Sequence, residues 1–251
     1  MVFDLAGRTA LITGASSGLG EHCARLFALA GANVVVGARR LDRVAALADA
    51  IGPNALAVAL DVTDGRSIAA AFDAAEARFG TVDTVIANAG QSNAGRSTEV
   101  AEDALRATID VNLTGVLLTA REGARRLIAA GSRERGQGRI VLIGSITAHM
   151  TGQGDSAYAA SKAAVAHLGR NLAREWVRQG VNVNVIQPGY VATEIAGDWF
   201  DTDGGKAQIA GWPRRRMMPA TSLDPMLLYF ASDASLHVTG AIIDVDDGQS
   251  L

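Results

Sequence analysis

Residues 9–20 read TALITGASSGLG: a β-branched apolar run, then a glycine-rich turn, then the start of a helical pattern that contains Cys23. Glycine at 14, 18 and 20 permits a tight turn and close approach of the backbone. Free N–H groups at a helix start, with the helix dipole behind them, favour a phosphate there. Glycine spacing alone is weak evidence, and the strand-turn-helix setting is what gives it weight. On this reading Gly14, Ser16, Ser17, Gly18, Leu19 and Gly20 surround a phosphate-bearing ligand.

Outward from that stretch, short β-branched runs alternate with Ala-rich helical patterns to the end of the chain. Strands are expected at 9–13, 33–37, 55–60, 84–88, 139–144, 181–186 and 241–245. Helices are expected near 18–30, 41–51, 65–79, 101–131, 156–179 and 224–232. Parallel crossovers need a covering segment, so the rhythm predicts an α/β, doubly wound, seven-stranded parallel sheet of Rossmann type with helices on both faces. The whole of 1–251 is read as one such domain. Two stretches depart from the rhythm. SRERGQG (132–138) reads as an exposed loop. The long stretch 192–219, with Trp199, Phe200 and Trp212, reads as a lid over a substrate. Arg214, Arg215 and Arg216 within it read as a solvated run.

Composition narrows the function. With 49% hydrophobic and 20% charged residues and five prolines, the chain can bury a large core and is not of disordered type. A net charge of -3 supplies no general attraction to nucleic acid or anionic lipid, so neither partner is expected. The single cysteine, Cys23, excludes an internal disulfide and a cysteine-based zinc site, and no metal is expected. The N-terminus lacks a basic stretch followed by a long apolar one, and no run of 18 apolar residues occurs, so a cytoplasmic location is expected.

In dinucleotide sites an acid about 20 residues after the glycine loop accepts the ribose hydroxyls. Here the second strand ends in Ala38, Arg39 and Arg40. A guanidinium in that place suits a 2′-phosphate, which favours NADP(H) over NAD(H), with Arg39 the first choice of ligand. Only Lys162 and Lys206 are lysines, against 21 arginines, yet one of the two follows Tyr158 by four residues. On a helix both side chains then share a face, and an ammonium beside a phenol pulls its pKa down toward use as an acid or base.

With TGASSGLG, the pair Asp61-Val62, NAG at 88–90, Asn112 in VNLTG, Ser145, YAASK at 158–162 and PG at 188–189, the chain resembles the short-chain dehydrogenase/reductase family from end to end. The resemblance implies hydride transfer between a nicotinamide and a ketone or secondary alcohol. It assigns Tyr158 as the proton donor or acceptor, Ser145 as the group that orients the carbonyl, Lys162 to the ribose and the Tyr158 pKa, and Asn112 to a proton relay through water. Asp61 and Val62 would hold the adenine. Asn88, Ala89 and Gly90 would line the cofactor with Tyr158, Lys162, Pro188, Gly189, Val191 and Thr193, the last toward the carboxamide. The resemblance also implies a homodimer or homotetramer, through the helices near 101–131 and 156–179. One departure is VDDG at 245–248, where VDGG is commoner, and it puts the local turn at Asp247 in doubt.

Around the substrate the resemblance places His149, Met150, Gln153, Tyr190, Ile195, Trp199 and Phe200, with Ser145. A mostly apolar, aromatic wall suits a hydrophobic or aryl ketone. The first reading is therefore an NADPH-dependent carbonyl reductase, reversible as an alcohol dehydrogenase. A second is a 3-oxoacyl thioester reductase, for which Arg214 to Arg216 would attract a carrier protein or coenzyme A phosphates. A third, a non-catalytic nucleotide sensor, has no need of the intact Ser145, Tyr158 and Lys162 set.

Overall fold

A computed structural model describes residues 3–193 and 198–251. Its seven strands, β1 (Thr9–Thr13), β2 (Asn33–Ala38), β3 (Ala55–Ala59), β4 (Thr84–Ala87), β5 (Gly138–Ile143), β6 (Val181–Pro188) and β7 (Ile242–Val245), form one sheet in the order β3-β2-β1-β4-β5-β6-β7. Every pairing is parallel. Strands buried on both faces read as continuous apolar runs rather than alternating ones, which is why TALIT and NVVVGA were legible.

Alternation along each strand sends side chains into two cores. Leu11 stands level with Val35 and Val85, and all three pack with α3 (Gly65–Phe79), α5 (Gly115–Ala129) and α7 (Ser156–Trp176). Ile12 stands level with Val36 and Ile86, on the face covered by α1 (Gly18–Leu29), α2 (Leu41–Ile51) and α9 (Asp224–Ala231). The strand beginnings are tied by the buried pair of Arg8 and Asp83, 3.0 Å apart. The opposite ends, where the chain leaves each strand, carry the loops of interest. The strand order reverses between β1 and β4, and in open α/β sheets ligands bind in the crevice at that switch.

Three local expectations are corrected. The helix expected over 101–131 is α4 (Glu102–Ile109), a π-helical turn at Asp110–Thr114 and then α5. The stretch 132–138 is not an exposed loop at its start: Ser132–Arg135 is a short helix, α6, set between the left-handed glycines Gly131 and Gly136. Ser132 is buried there and donates to the carbonyl of Gln179. Within 192–219 lie a 3-10 turn at Trp199–Asp201 and helix α8 (Asp203–Gly211), capped by the Thr202 hydroxyl, which accepts from Gly205 N. No helix among the described residues is long and apolar enough to cross a membrane.

Candidate active site

The turn after β1 and the loop after β4 are stitched together by two side chains. Thr13 Oγ1 accepts from the backbone N–H groups of Asn88 and Ala89, both at 3.0 Å. Asn88 Nδ2 donates back to Thr13 O at 2.9 Å. Glycine is required where these pieces meet. A Cβ on Gly14, which has a φ of 68°, would lie 2.8 Å from Ala89 Cα. One on Gly20 would overlap the Gly14 carbonyl and lie 2.6 Å from Asn88 Nδ2. The loops enclose a cleft of about 1220 Å³, beyond the roughly 300–1,000 Å³ of most small-ligand sites. Gly14, Ser16, Ser17, Gly18 and Leu19 line it with Asn88, Ala89 and Gly90, whereas Gly20 lies behind them as the packing contact. Pro188, Gly189, Val191 and Thr193 line the facing wall. Thr193 approaches Gly18, where an added Cβ would lie 3.4 Å from its own.

At one end of the cleft stand Arg39, Arg40, Asp61 and Val62. Arg40 folds over the glycine turn, its Nη2 donating to Ser16 Oγ at 2.8 Å and Ser17 Oγ at 2.9 Å. That contact gives the second arginine a role that sequence ranking passed over in favour of Arg39. Asp61 Oδ1 accepts from Thr63 N at 2.9 Å and Thr63 Oγ1 at 2.8 Å. These bonds, with help from the nearby Arg39 charge, hold its carboxyl below the usual range. A cleft with room for a long ligand, and a glycine turn in which Gly14 and Gly20 leave no space for a Cβ, fits a nicotinamide dinucleotide.

Deeper in the cleft the chemistry gathers at three element ends. Ser145 follows β5 and caps the 3-10 turn Ile146–Ala148. Its Oγ accepts from Thr147 N at 3.2 Å and Thr147 Oγ1 at 3.0 Å, which leaves its own proton to point elsewhere. Thr147, missed in the sequence, is thus what orients it. Tyr158 and Lys162 lie one turn apart on α7, with Lys162 Nζ 5.5 Å from the Tyr158 ring centroid. Lys162 is buried, its Nζ donates to Ile143 O at 2.8 Å, and burial pulls its pKa down to about 8. The Tyr158 phenol is pushed up to about 12, chiefly by burial, against a hydrogen bond with Ser145 that lowers it and nearby Asp155 and Tyr190 that raise it. Burial is the largest influence on this phenol, and the Lys162 ammonium stands beside its ring.

Asn112 lies on the π-turn and is fully buried. Its Nδ2 donates to Gln91 O at 2.9 Å and Ser161 Oγ at 3.2 Å, and its Oδ1 accepts from Gln91 N at 2.9 Å. Both ends of the amide are engaged, so this side chain clamps the loop after β4 to α7. It does not itself line the cleft. Single π turns inside helices are frequent at functional sites.

Gln153, Tyr190, Trp199 and Phe200 line the far end of the cleft with Met150. Tyr190 stacks on Trp212 at 5.2 Å and meets Phe200 edge-on at 5.4 Å. His149 is not among the lining residues: its ring faces Gln187 (Nδ1 to Nε2, 3.4 Å) and Asp244 (Nε2 to Oδ2, 3.6 Å). Ile195 lies outside the described residues. Sequence reasoning missed Asp155 and Gln208, both in the cleft wall, because neither carries a spacing signal. Arg214, Arg215 and Arg216 are exposed, as read from the sequence, and two of them also pair with Asp247, Arg214 at 3.1 Å and Arg216 at 2.8 Å. Asp247 has a φ of 56°, in the left-handed region that Asp tolerates better than most residues. No group of three His, Cys, Asp or Glu that could hold a metal occurs among the described residues.

Residues 8–204 match the short chain dehydrogenase family. Over 97% of this chain and 96% of the relative, the sequence is 40% identical to cis-4-hydroxycyclohexanecarboxylate dehydrogenase of Sinomonas cyclohexanicum. A gluconate 5-dehydrogenase from Burkholderia cenocepacia, solved in complex with NADP and tartrate, superposes with a TM-score of 0.92 at 33% identity, covering 99% of this chain and 97% of that one. A 3-ketoacyl-(acyl-carrier-protein) reductase from Brucella melitensis complexed with NADH gives 0.90 at 30% identity, covering 99% and 100%. The chain therefore belongs to the short-chain dehydrogenase family, as an oxidoreductase working between CH–OH and C=O groups.

Proposed function

We propose that the protein is an NADP(H)-dependent carbonyl reductase, reversible as a secondary-alcohol dehydrogenase, acting on a hydrophobic or aryl substrate. The observation that carries this reading is the meeting of Ser145, Tyr158 and Lys162 at the floor of a cleft whose other end holds Arg39 and Arg40. The nicotinamide, when bound, supplies or takes the hydride. The chain does the rest. Ser145, held by Thr147, donates to the carbonyl oxygen and fixes its position. Tyr158, a phenol that keeps its proton at neutral pH, gives that proton to the same oxygen during reduction and takes one back from the alcohol during oxidation. Lys162, with one of its three donors on Ile143 O, turns the others toward a ribose. Asn112 keeps the loop and α7 in register, and the family resemblance assigns it a water that links Lys162 to solvent. The alternative is a 3-oxoacyl thioester reductase, favoured by the likeness to the 3-ketoacyl-(acyl-carrier-protein) reductase and by the exposed arginines 214–216, two of which also pair with Asp247.

The test is a panel of aryl ketones, steroids, sugars and 3-oxoacyl thioesters, each with NADPH and NADH. Aryl ketone reduction with NADPH is the expected activity, and acetoacetyl-coenzyme A turning over while aryl ketones stay inert would reverse the order of readings. Cofactor choice is read separately. Arg39→Ala is expected to raise the KM for NADPH about tenfold more than that for NADH, because only the former has a phosphate for the guanidinium to grip. An equal loss with both rejects the contact. Arg40→Ala should weaken both cofactors, since Arg40 braces Ser16 and Ser17 of the shared glycine turn.

A further inference from the structure

Charge is unevenly spread along the cleft. Asp155 stands at the N-cap of α7, three residues before Tyr158. An Asp in that place ordinarily accepts an N–H from the first helical turn. Here its side chain makes no capping bond, and Oδ1 instead accepts from Ser92 Oγ, 3.4 Å away across the chain. Asp155 lines the cleft with both phenols of the site, Tyr158 and Tyr190, which burial raises most and the Asp155 charge raises further. Tyr190 in turn belongs to the aromatic cluster with Trp212 and Phe200.

Among the described residues no arginine lines the cleft beside that carboxylate. Among the described residues lining the cleft, the cations are Arg39, Arg40 and Lys162. The first two follow β2 at the other end, and the third is buried against Ile143 O. Arg214 and Arg216 are paired with Asp247. An acid beside aromatic faces attracts hydrogen-bond donors and ammonium groups, and it repels anions that bring no compensating charge.

We infer that the substrate end of this cleft takes ketones and alcohols that are neutral or carry an ammonium group and turns away carboxylates, with Asp155 as the selecting residue. This rests on the carbonyl-reductase reading for the reaction and adds what lies beyond the reacting carbon.

Two measurements on the full chain test it. Titration of tryptophan fluorescence, reported by Trp199 and Trp212 beside the site, compares cyclohexylammonium with cyclohexanecarboxylate. The ammonium should bind about tenfold tighter, and Asp155→Asn, which keeps the shape and a cap-competent side chain, should shrink the difference to about threefold or less. Equal binding of the two ions, or a preference that survives Asp155→Asn, overturns the inference. Turnover compares cyclohexanone, 4-aminocyclohexanone and 4-oxocyclohexanecarboxylate. The kcat/KM of the carboxylate relative to cyclohexanone should rise about tenfold in Asp155→Asn, through KM, and an unchanged ratio again overturns it. The binding arm needs no hydride transfer. If none of the three ketones reacts with either cofactor, the carbonyl-reductase reading fails while the binding result still decides the role of Asp155.

Discussion

Tyr158→Phe lowers the rate of ketone reduction by about 10² to 10⁴-fold, the usual contribution of a positioned general acid, while the affinity for NADPH stays within a few fold. The two outcomes separate because the ring remains to fill its place on α7 and only the hydroxyl beside Ser145 is removed. Stopped-flow hydride transfer and a cofactor titration on the same preparation read them together. A variant that keeps most of the rate would mean that another group donates the proton. The pH dependence follows from the same phenol. Pushed up to about 12 by burial, it is protonated across the ordinary range, so reduction should show no loss from this group between pH 6 and 9, a window several units below that value by the usual titration argument. Oxidation needs the phenolate, whose fraction grows as pH rises toward the pKa, so the wild-type oxidation rate should climb with pH. In Tyr158→Phe that climb should vanish.

Gly20→Ala is expected to have the second large effect, without touching any ligand. The added methyl would overlap the Gly14 carbonyl and crowd Asn88 Nδ2 at 2.6 Å. Backbone on one side and a hydrogen-bonded amide on the other leave no flexible neighbour to give way. Relief requires α1 to move off the turn or Asn88 to release Thr13 O, and either change separates the loops after β1 and β4. Overpacking of this kind costs about 1–3 kcal/mol of stability. Cofactor affinity should fall far more than that of Arg39→Ala and equally for NADPH and NADH, about 100-fold if the phosphate cradle is lost. Thermal denaturation and calorimetric cofactor titration measure the two effects. Affinity within threefold of wild type would show that the turn does not hold the phosphates.

The sheet was legible because its central parallel strands are buried on both faces and so read as apolar runs, as in VVVGA after Asn33. Helix ends such as α2 and α3 also fell where Gly and Pro punctuate the chain. The interruption at Asp110–Thr114 was not. DVNLT carries no helix breaker, and the π turn is justified only by partners far away in sequence, Gln91 and Ser161, which Asn112 reaches from it. Residue type misled at His149, a plausible pocket group by chemistry that the fold turns toward Asp244 and Gln187. It was equally silent on Asp155, whose importance comes from where its carboxylate points instead of capping. Among the arginines, the sequence supplied a charge argument for Arg39 but no means of seeing Arg40 reach back across 23 residues to Ser17. The run at 214–216 gave no hint of Asp247, because a pairing across that distance is settled only by how the chain returns.

The π turn bears on how this chain can change length over evolutionary time. A π turn holds one more residue than an α turn of the same span, so α4 and α5 are out of phase by one position. Losing a single residue between 110 and 114 would give one uninterrupted helix of ordinary geometry, with every internal hydrogen bond intact. It would leave α4 and α5 nearly in place, because the wider turn is what absorbs the extra residue, but it would remove the bulge from which Asn112 reaches Gln91 and Ser161. A shortening that local energetics would welcome is therefore one that this fold can accept only by giving up the clamp between the β4 loop and α7.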